Sequence, residues 1–287
     1  MDVESIRDQR AHEGRWTLLI PVKRLEIAKS RLALDAVDRI EVALAMAVDT
    51  VSAALKASTV AEVVVVTDDA RATRELGDLG ARMVADVPDA GLNPALLHGA
   101  TLATRASVAA LSSDLPGLLA DELDAVLRAA DAHPRAVVGD ATGSGTTLLA
   151  ARTVAGFTPA FGVGSRSAHV DAGAVDLTEQ AGWSVRHDVD TVEALLAAAR
   201  RGVGPRTHAV LAELGLDDPG TRERQGTIAA FDPDSRGGVV WEDDGTAIAF
   251  EAAAFDASGL RLLRIGQRVR LRADETGVVT FVSILTL

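Results

Sequence analysis

The stretch Val137–Ser165 reads VVGDATGSGTTLLAARTVAGFTPAFGVGS. An apolar run, Ala136–Val138, breaks into the turn Gly-Asp-Ala-Thr-Gly-Ser-Gly-Thr, and a second apolar run, Thr147–Ala151, follows it. Short apolar runs bounded by glycine-rich turns read as buried strands. A second turn, Phe161-Gly-Val-Gly-Ser165, follows, and a helix is predicted to start near Ser165. Glycines let backbone N–H groups approach an anion closely, and Ser/Thr hydroxyls supply further donors. Together the turns predict a pocket floor suited to a phosphate or a carboxylate, although plain loops use the same residues.

Working outward, the same kind of apolar run recurs. Trp16–Pro21, Val63–Val66, Arg82–Ala85 and Val108–Leu111 predict strands. Ile40, Leu44, Val48, Val51 and Leu55 form one apolar helical face. Further helices are predicted over Ala70–Leu79, around Leu96 and Leu102, and over Asp121–Ala132. Beyond Ser165 come a predicted strand, Ser184–Arg186, and a helix running to Ala199. The strands are continuously apolar and alternate with helices. That pattern is the signature of an α/β fold, a mostly parallel sheet with helices on both faces.

The pattern changes after Leu214. Gly215–Arg224 reads as a linker, and from Gln225 on short strands replace the helices. Val239–Glu242 and Ala247–Phe250 flank an Asp-Asp-Gly turn, a hairpin signal, and Arg268–Arg272 alternates charge with apolar residues. Five short strands predict a small closed barrel. The predicted organisation is a flexible arm (1–15), an α/β domain (16–214), a linker (215–224) and a β domain (225–287).

The totals exclude several classes. There is no cysteine among the 287 residues, hence no disulfide, thiolate metal site or cysteine nucleophile. The N-terminal residues are charged and lack the apolar core of a signal peptide. No run approaches the roughly 20 apolar residues of a membrane span, so the expected location is the cytoplasm. A net charge of −12 argues against broad binding to nucleic acid or anionic lipid. An acidic protein that handles anions needs local cations or a metal.

Lys23, Lys29 and Arg31 follow the first predicted strand, where α/β sheets collect ligands, and are candidates for a nucleotide's phosphates; a solvated basic loop is the alternative. Asp114 and Asp188, each placed at a predicted strand end, could share a magnesium ion. Asp190 and Glu193 have the form of a capping box, with Asp190 at the N-cap, which explains Asp190 without a metal. His169 lies four residues after Ser165, on the same side of the predicted helix. The six histidines show no metal-ligand spacing, and no nucleophile–base pattern is visible.

Taken together these residues resemble a known family. Pro21-Val-Lys23, Ala28-Lys-Ser-Arg-Leu32, Gly91-Leu-Asn93, Asp114-Leu-Pro116, Gly143-Ser-Gly-Thr146, Phe161-Gly-x-x-Ser165-x-x-x-His169 and Asp188-Val-Asp-Thr191 occur in the order expected of the 2-phospholactate/phosphoenolpyruvate guanylyltransferases. Those enzymes serve biosynthesis of the deazaflavin coenzyme F-420. The resemblance spans Trp16–Leu214. It implies a fold of the nucleotide-diphospho-sugar transferase type, GTP as co-substrate, magnesium, and transfer of GMP to a phosphorylated three-carbon acid with release of pyrophosphate. It implies that Thr146, Gly162 and Ser165 bind the phospho-acid, that Lys23, Lys29, Arg31 and Asn93 serve the nucleotide, and that Asp114 and Asp188 hold the metal. Ser113 departs from the family's usual glycine, which is tolerable if its φ is negative.

The tail resembles a cold-shock domain, an OB barrel, at Gln225-Gly-Thr-Ile228, Arg236-Gly-Gly-Val239, Asp244-Gly245 and Gly266-Gln-Arg-Val269. The stacking aromatics of that family are missing from Arg236-Gly-Gly-Val-Val240. From Gln225 on there are six arginines against nine acidic residues. Nucleic-acid binding by the tail is therefore not expected, with Arg261, Arg264, Arg268, Arg270 and Arg272 as the one basic strip. A docking or structural role is the expected use of the tail, and the expected partners of the chain beyond its substrates are a second copy of itself or a pathway enzyme. Two other readings stand beside the first. One is a related nucleotidyltransferase acting on 3-phosphoglycerate or a sugar phosphate; the other is a nucleic-acid-binding protein acting through its tail.

Overall fold

The computed structural model describes residues 15–26, 32, 34, 36–216, 222–242, 244–258, 260–274 and 277–284. Lys29 and Arg31 of the predicted nucleotide loop lie outside these residues, as do the predicted arm up to residue 14 and residues 217–221 of the predicted linker. The chain divides into two compact units, Met1–Asp217 and Asp218–Leu287.

In the first unit seven strands form one sheet: β1 (Trp16–Pro21), β2 (Val60–Val66), β3 (Arg82–Val84), β4 (Ser107–Leu111), β5 (Arg135–Gly139), β6 (Thr146–Ala151) and β7 (Val175–Asp176). Their order is β3-β2-β1-β4-β6-β5-β7. Pairing is parallel except at β6, which runs antiparallel to both β4 and β5. β5 and β6 thus form a hairpin set into a parallel sheet. The helices are α1 (Ala36–Ala54), α2 (Ala70–Asp78), α3 (Leu92–Thr101), α4 (Ala120–Ala130), α5 (Ser165–Asp171), α6 (Trp183–Arg186), α7 (Val192–Arg201) and α8 (Pro205–Glu213).

β1 shows why the strands read as unbroken apolar runs. Trp16, Leu18 and Ile20 pack on one face with Leu44 and Val51 of α1 and Leu127 of α4. Leu19 packs on the other face with Val66 of β2 and Leu96 of α3. Successive side chains point to opposite faces, and here both faces are covered by helices. From β1 the chain adds β2 and β3 on one side, then crosses to place β4 on the other. This reversal next to β1 is a topological switch point, where open α/β sheets hold ligands at the carboxyl ends of their strands.

Two local expectations are corrected. Ser184–Arg186 is not a strand but part of the helical turn α6. The Glu122 carboxylate of α4 accepts both the Ser184 N–H at 2.8 Å and its hydroxyl at 2.7 Å, and this tertiary anchor fixes the turn. Asp188 consequently follows a helical turn rather than a strand end. The N-cap of α7 is Thr191, not Asp190: the Thr191 hydroxyl accepts the Ala194 N–H at 3.2 Å. The helix starts one residue later than the capping-box pattern predicts, which moves Glu193 from the third to the second helical position.

The second unit has β8 (Arg222–Asp232), β9 (Gly237–Glu242), β10 (Ala247–Phe250), α9 (Ala252–Ala257), β11 (Arg268–Ala273) and β12 (Val279–Ile284). The strands form an antiparallel sheet in the order β10-β9-β8-β11-β12. The predicted hairpin is present, with Trp241 opposite Ala247. In β11 Val269 and Leu271 are buried, while Arg268, Arg270 and Arg272 are half-buried. Among the described residues no ladder joins the end strands β10 and β12. Nor is any helix among them long and apolar enough to cross a membrane.

Candidate active site

Thr146 opens β6 and Ser165 opens α5, and the fold brings them into contact. The Ser165 hydroxyl donates to Thr146 Oγ1 at 3.0 Å, and both residues are buried. The Ser165 N–H bonds the Gly162 carbonyl at 3.2 Å, which folds the second glycine turn back on itself. Gly162 has φ of 145° and Gly164 of 70°, conformations that exclude most side chains. Among the described residues no backbone acceptor faces the N–H groups of Gly162, Val163 or Gly164. A run of N–H groups left open in this way is the geometry that an anion nest requires.

The first glycine turn is different. The Asp140 carboxylate accepts the Ser144 N–H at 3.0 Å and the Thr142 hydroxyl at 3.0 Å. An anion of the chain itself already occupies that turn, and Asp140 accounts for Thr142, Ser144 and Gly145, while Thr146 at its end belongs with Ser165. The signal was present in the sequence, since Asp followed by Thr-Gly-Ser is the pattern of a turn closed by its own aspartate. Arg166, just past the nest, donates to the Gly143 carbonyl at 3.2 Å and pairs with Asp176 at 2.7 Å, tying the first turn to α5.

The nest is held from two sides. The Asn93 side chain accepts the Phe161 N–H at 2.8 Å and donates to its carbonyl at 3.1 Å. Asn93, expected at the nucleotide, thus grips the backbone beside Gly162. His169 is buried: its Nε2 accepts the Ala160 N–H at 2.9 Å, and its Nδ1 lies 3.1 Å from Thr146 Oγ1. Burial pushes its imidazole pKa below the ordinary value.

On the β1 side of the switch point lies a cavity of about 200 Å³, lined by Pro21, Val22, Lys23, Arg24, Gly91 and Leu92 among others. Lys23 is exposed there. Arg24 pairs with Asp68 at 3.6 Å and Asp89 at 3.5 Å. Asp69 caps α2 and also takes the Leu25 N–H at 2.9 Å, which anchors the start of the loop after β1. Burial works to raise the Asp69 carboxyl, but the N–H donors of Ala72, Leu25 and Arg71 outweigh it and hold the pKa low. Asp86, on the cavity wall, is pushed up by burial and by the charges of Asp68 and Asp89. Sequence reasoning missed these aspartates, which lie in two short polar segments, after β2 and after β3.

Asp114 follows β4. The Ser112 N–H bonds the Thr147 carbonyl at 2.8 Å, so this segment leaves the sheet beside Thr146. The Val189 N–H bonds the Asp114 carbonyl at 3.0 Å, which brings the Asp188 segment to the same edge. Ser113 is not among the residues with positive φ, so a serine there is unstrained. Among the described residues no group of three or more His, Asp or Glu side chains is gathered to hold a metal. Two carboxylates nonetheless fit magnesium's habit of binding through one or two protein oxygens together with water and substrate phosphates.

Residues 16–228 match the model of the family described as guanylyl transferase CofC-like. The chain belongs to this family. A curated relative from Thermomonospora curvata, named phosphoenolpyruvate guanylyltransferase, is 49% identical over 231 residues, 79% of this chain and 100% of that one. A relative of the same name from Streptomyces coelicolor is 53% identical over 206 residues, 70% of this chain and 97% of that one. The crystal structure of a Desulfovibrio desulfuricans G20 protein assigned as a nucleotide-diphospho-sugar transferase superposes with a TM-score of 0.55 at 18% identity. It covers 71% of this chain and 97% of that one, and supports the fold of the CofC-like unit. The sequence resemblance therefore identified both the family and the fold of the first unit.

Proposed function

We propose that this CofC-like chain transfers GMP from GTP to phosphoenolpyruvate, a step in making the deazaflavin coenzyme F-420. The observation that carries the reading is the nest at Gly162–Ser165. It offers backbone N–H groups and the Thr146 hydroxyl, held by Ser165, to an anion, at the edge reached by the Asp114 segment. The names of the curated relatives favour phosphoenolpyruvate as the acceptor.

In this reading the acceptor's phosphate oxygen attacks the α-phosphorus of GTP in line. A P–O bond forms to the acceptor, the α–β bridge bond breaks, and pyrophosphate leaves with the electron pair. The attacking oxygen is already an anion, so no general base is required. The barrier lies in bringing two anions together in a fixed geometry. Thr146, Gly162 and Ser165 hold the acceptor. The β1-side cavity takes the nucleotide, with Lys23 at its phosphates. Asp114 and Asp188 would hold magnesium, which supplies positive charge to the reacting phosphates. Lys29 and Arg31 are assigned to the same nucleotide loop by the family pattern.

The second unit is read as an OB-like module. The strand order, with α9 between β10 and β11, supports this. It is not read as a nucleic-acid binder: Arg236 is paired with Asp256 at 2.9 Å and Arg272 covers the Phe281 ring at 5.1 Å. Pyrophosphate release with GTP and magnesium, measured against phosphoenolpyruvate, 2-phospholactate, 3-phosphoglycerate and a sugar phosphate, tests the reading. Turnover with phosphoenolpyruvate is expected. Turnover with another acceptor alone replaces the substrate, and silence with GTP, ATP and CTP rejects the reading.

A further inference from the structure

The hydrogen bonds around His169 fix more than its own position. Its Nε2 accepts the Ala160 N–H at 2.9 Å. A ring nitrogen that accepts carries no proton, so the neutral ring bears its proton on Nδ1. Nδ1–H faces Thr146 Oγ1 at 3.1 Å and donates to it. The Ser165 hydroxyl donates to the same oxygen at 3.0 Å. A threonine hydroxyl has two acceptor lone pairs and one proton. Both acceptor positions of Thr146 are filled by protein donors. Its proton is left with no protein acceptor among the described residues.

We propose that His169 is a positioning residue that locks the Thr146 hydroxyl as an obligatory hydrogen-bond donor to the anionic group of the acceptor substrate. This rests on the reading of the nest as the acceptor's site. An unconstrained hydroxyl can turn its oxygen or its proton toward a ligand; here the choice is made before the ligand arrives. The arrangement selects an acceptor that presents a bare anionic oxygen. His169 itself does not touch the substrate: Phe161 covers the ring edge-on, with centroids 5.2 Å apart and the planes at 71°. Protonation of the ring would break the Ala160 bond, so the buried imidazole stays neutral while the relay operates.

Three single variants and one double variant of the full chain separate this from a merely structural role, with folding checked by circular dichroism. Thr146→Val removes the donor. His169→Gln keeps an acceptor near the Nε2 position for Ala160 and loses the Nδ1 donor. His169→Asn keeps a donor near Nδ1 for Thr146 and loses the Ala160 bond. Thr146→Val is expected to raise KM for the phospho-acid about tenfold, the size of one charge-assisted hydrogen bond, and to leave KM for GTP unchanged. His169→Gln should raise the same KM several-fold, His169→Asn should raise it less than His169→Gln does, because the Thr146 donor survives and only the Ala160 clamp is lost, and Thr146→Val/His169→Gln should be no worse than Thr146→Val alone. A His169→Gln variant with parental KM, or an additive double variant, overturns the relay. An unchanged phospho-acid KM in Thr146→Val overturns the acceptor-site reading and the relay with it. In the parent protein, imidazole ¹⁵N shifts must show the neutral Nδ1–H form of His169 at neutral pH; the Nε2–H form overturns the proposal without any variant.

Discussion

Replacing Gly162 by alanine tests the nest through the backbone alone. A Cβ built on Gly162 meets nothing within 4 Å, so steric pressure from neighbours is excluded. What the substitution changes is the cost of a φ of 145°. For an L residue that region costs about 1–3 kcal/mol. The turn has two ways to respond. It can keep the conformation, in which case the cost lowers global stability; for a unit of this size each kcal/mol moves the melting midpoint by about 2–4 °C. Or it can relax, in which case the N–H groups leave the nest and the cost returns when the acceptor binds. The second route raises KM for the phospho-acid by a factor of about 5 to 150, at 1.4 kcal/mol per tenfold. Thermal unfolding and steady-state pyrophosphate release on the same preparation read both routes, with KM for GTP as the internal control. Gly164→Ala, at a φ of 70° and equally open space, follows the same logic at about 1–2 kcal/mol. A Gly162→Ala protein with unchanged melting midpoint and unchanged phospho-acid KM would refute the nest.

Asp114→Asn should leave the melting midpoint near its parental value and lower kcat by about 100-fold or more, the scale of losing metal-assisted charge stabilisation; parental kcat removes the metal assignment. Deletion of Gln225–Leu287 should leave pyrophosphate release intact, as expected if the CofC-like unit holds the whole site; a folded but silent truncation would assign part of the site to the tail. Asp124→Ala should destabilise by about 2–3 kcal/mol, because its buried carboxylate accepts the N–H and hydroxyl of both Ser58 and Thr59 at 2.6–3.0 Å; denaturant unfolding measures it. Burial works to raise the Asp124 pKa, but the Ser58 and Thr59 donors outweigh it and hold it below the ordinary value. The unfolded chain therefore binds a proton at Asp124 more readily, and this stabilisation is present above about pH 4 and lost as pH falls through that range. The variant should show a shallower acid limb, and an unchanged limb contradicts the assignment.

The first unit was legible because its strands are covered on both faces. Burial on both sides makes a strand a solid apolar run, and runs such as Leu18-Leu19-Ile20 and Val63–Val66 need no partner to be recognised. Ser184–Arg186 was misread because three residues carry no periodicity and the decisive contact, Glu122, lies 62 positions away. Asp190 was misplaced at the helix start because Asp190 and Thr191 are both good caps, and only the backbone says which hydroxyl or carboxylate reaches the third N–H. Both site turns were read as one feature, since glycine and serine look the same in a nest that is open and in one closed by Asp140. The partners that hold the open turn, Asn93 and His169, carry sequence signals only through the family resemblance, because a clamp on a backbone N–H leaves no spacing of its own.

The net charge of −12 sharpens what the site must do. Two phosphorylated substrates have to meet inside an acidic protein, and most cations described near the site are already committed. Arg24 is shared between Asp68 and Asp89, and Arg166 is held by Asp176. On the proposed reading the acceptor side relies on dipoles rather than charges: N–H groups and the Thr146 hydroxyl, whose directions are fixed by Asn93, His169 and Ser165. Fixed dipoles need no reorganisation as charge moves from the acceptor oxygen to the departing pyrophosphate, and they cost less desolvation than a buried lysine. The nucleotide side, opening at the exposed Lys23, can use mobile charge because its anion carries the larger charge and leaves as product. On this division of labour, raising ionic strength should raise KM for GTP more steeply than KM for the phospho-acid, since screening weakens exposed charges far more than buried dipoles. Equal salt slopes for the two substrates would place an exposed cation at the acceptor as well.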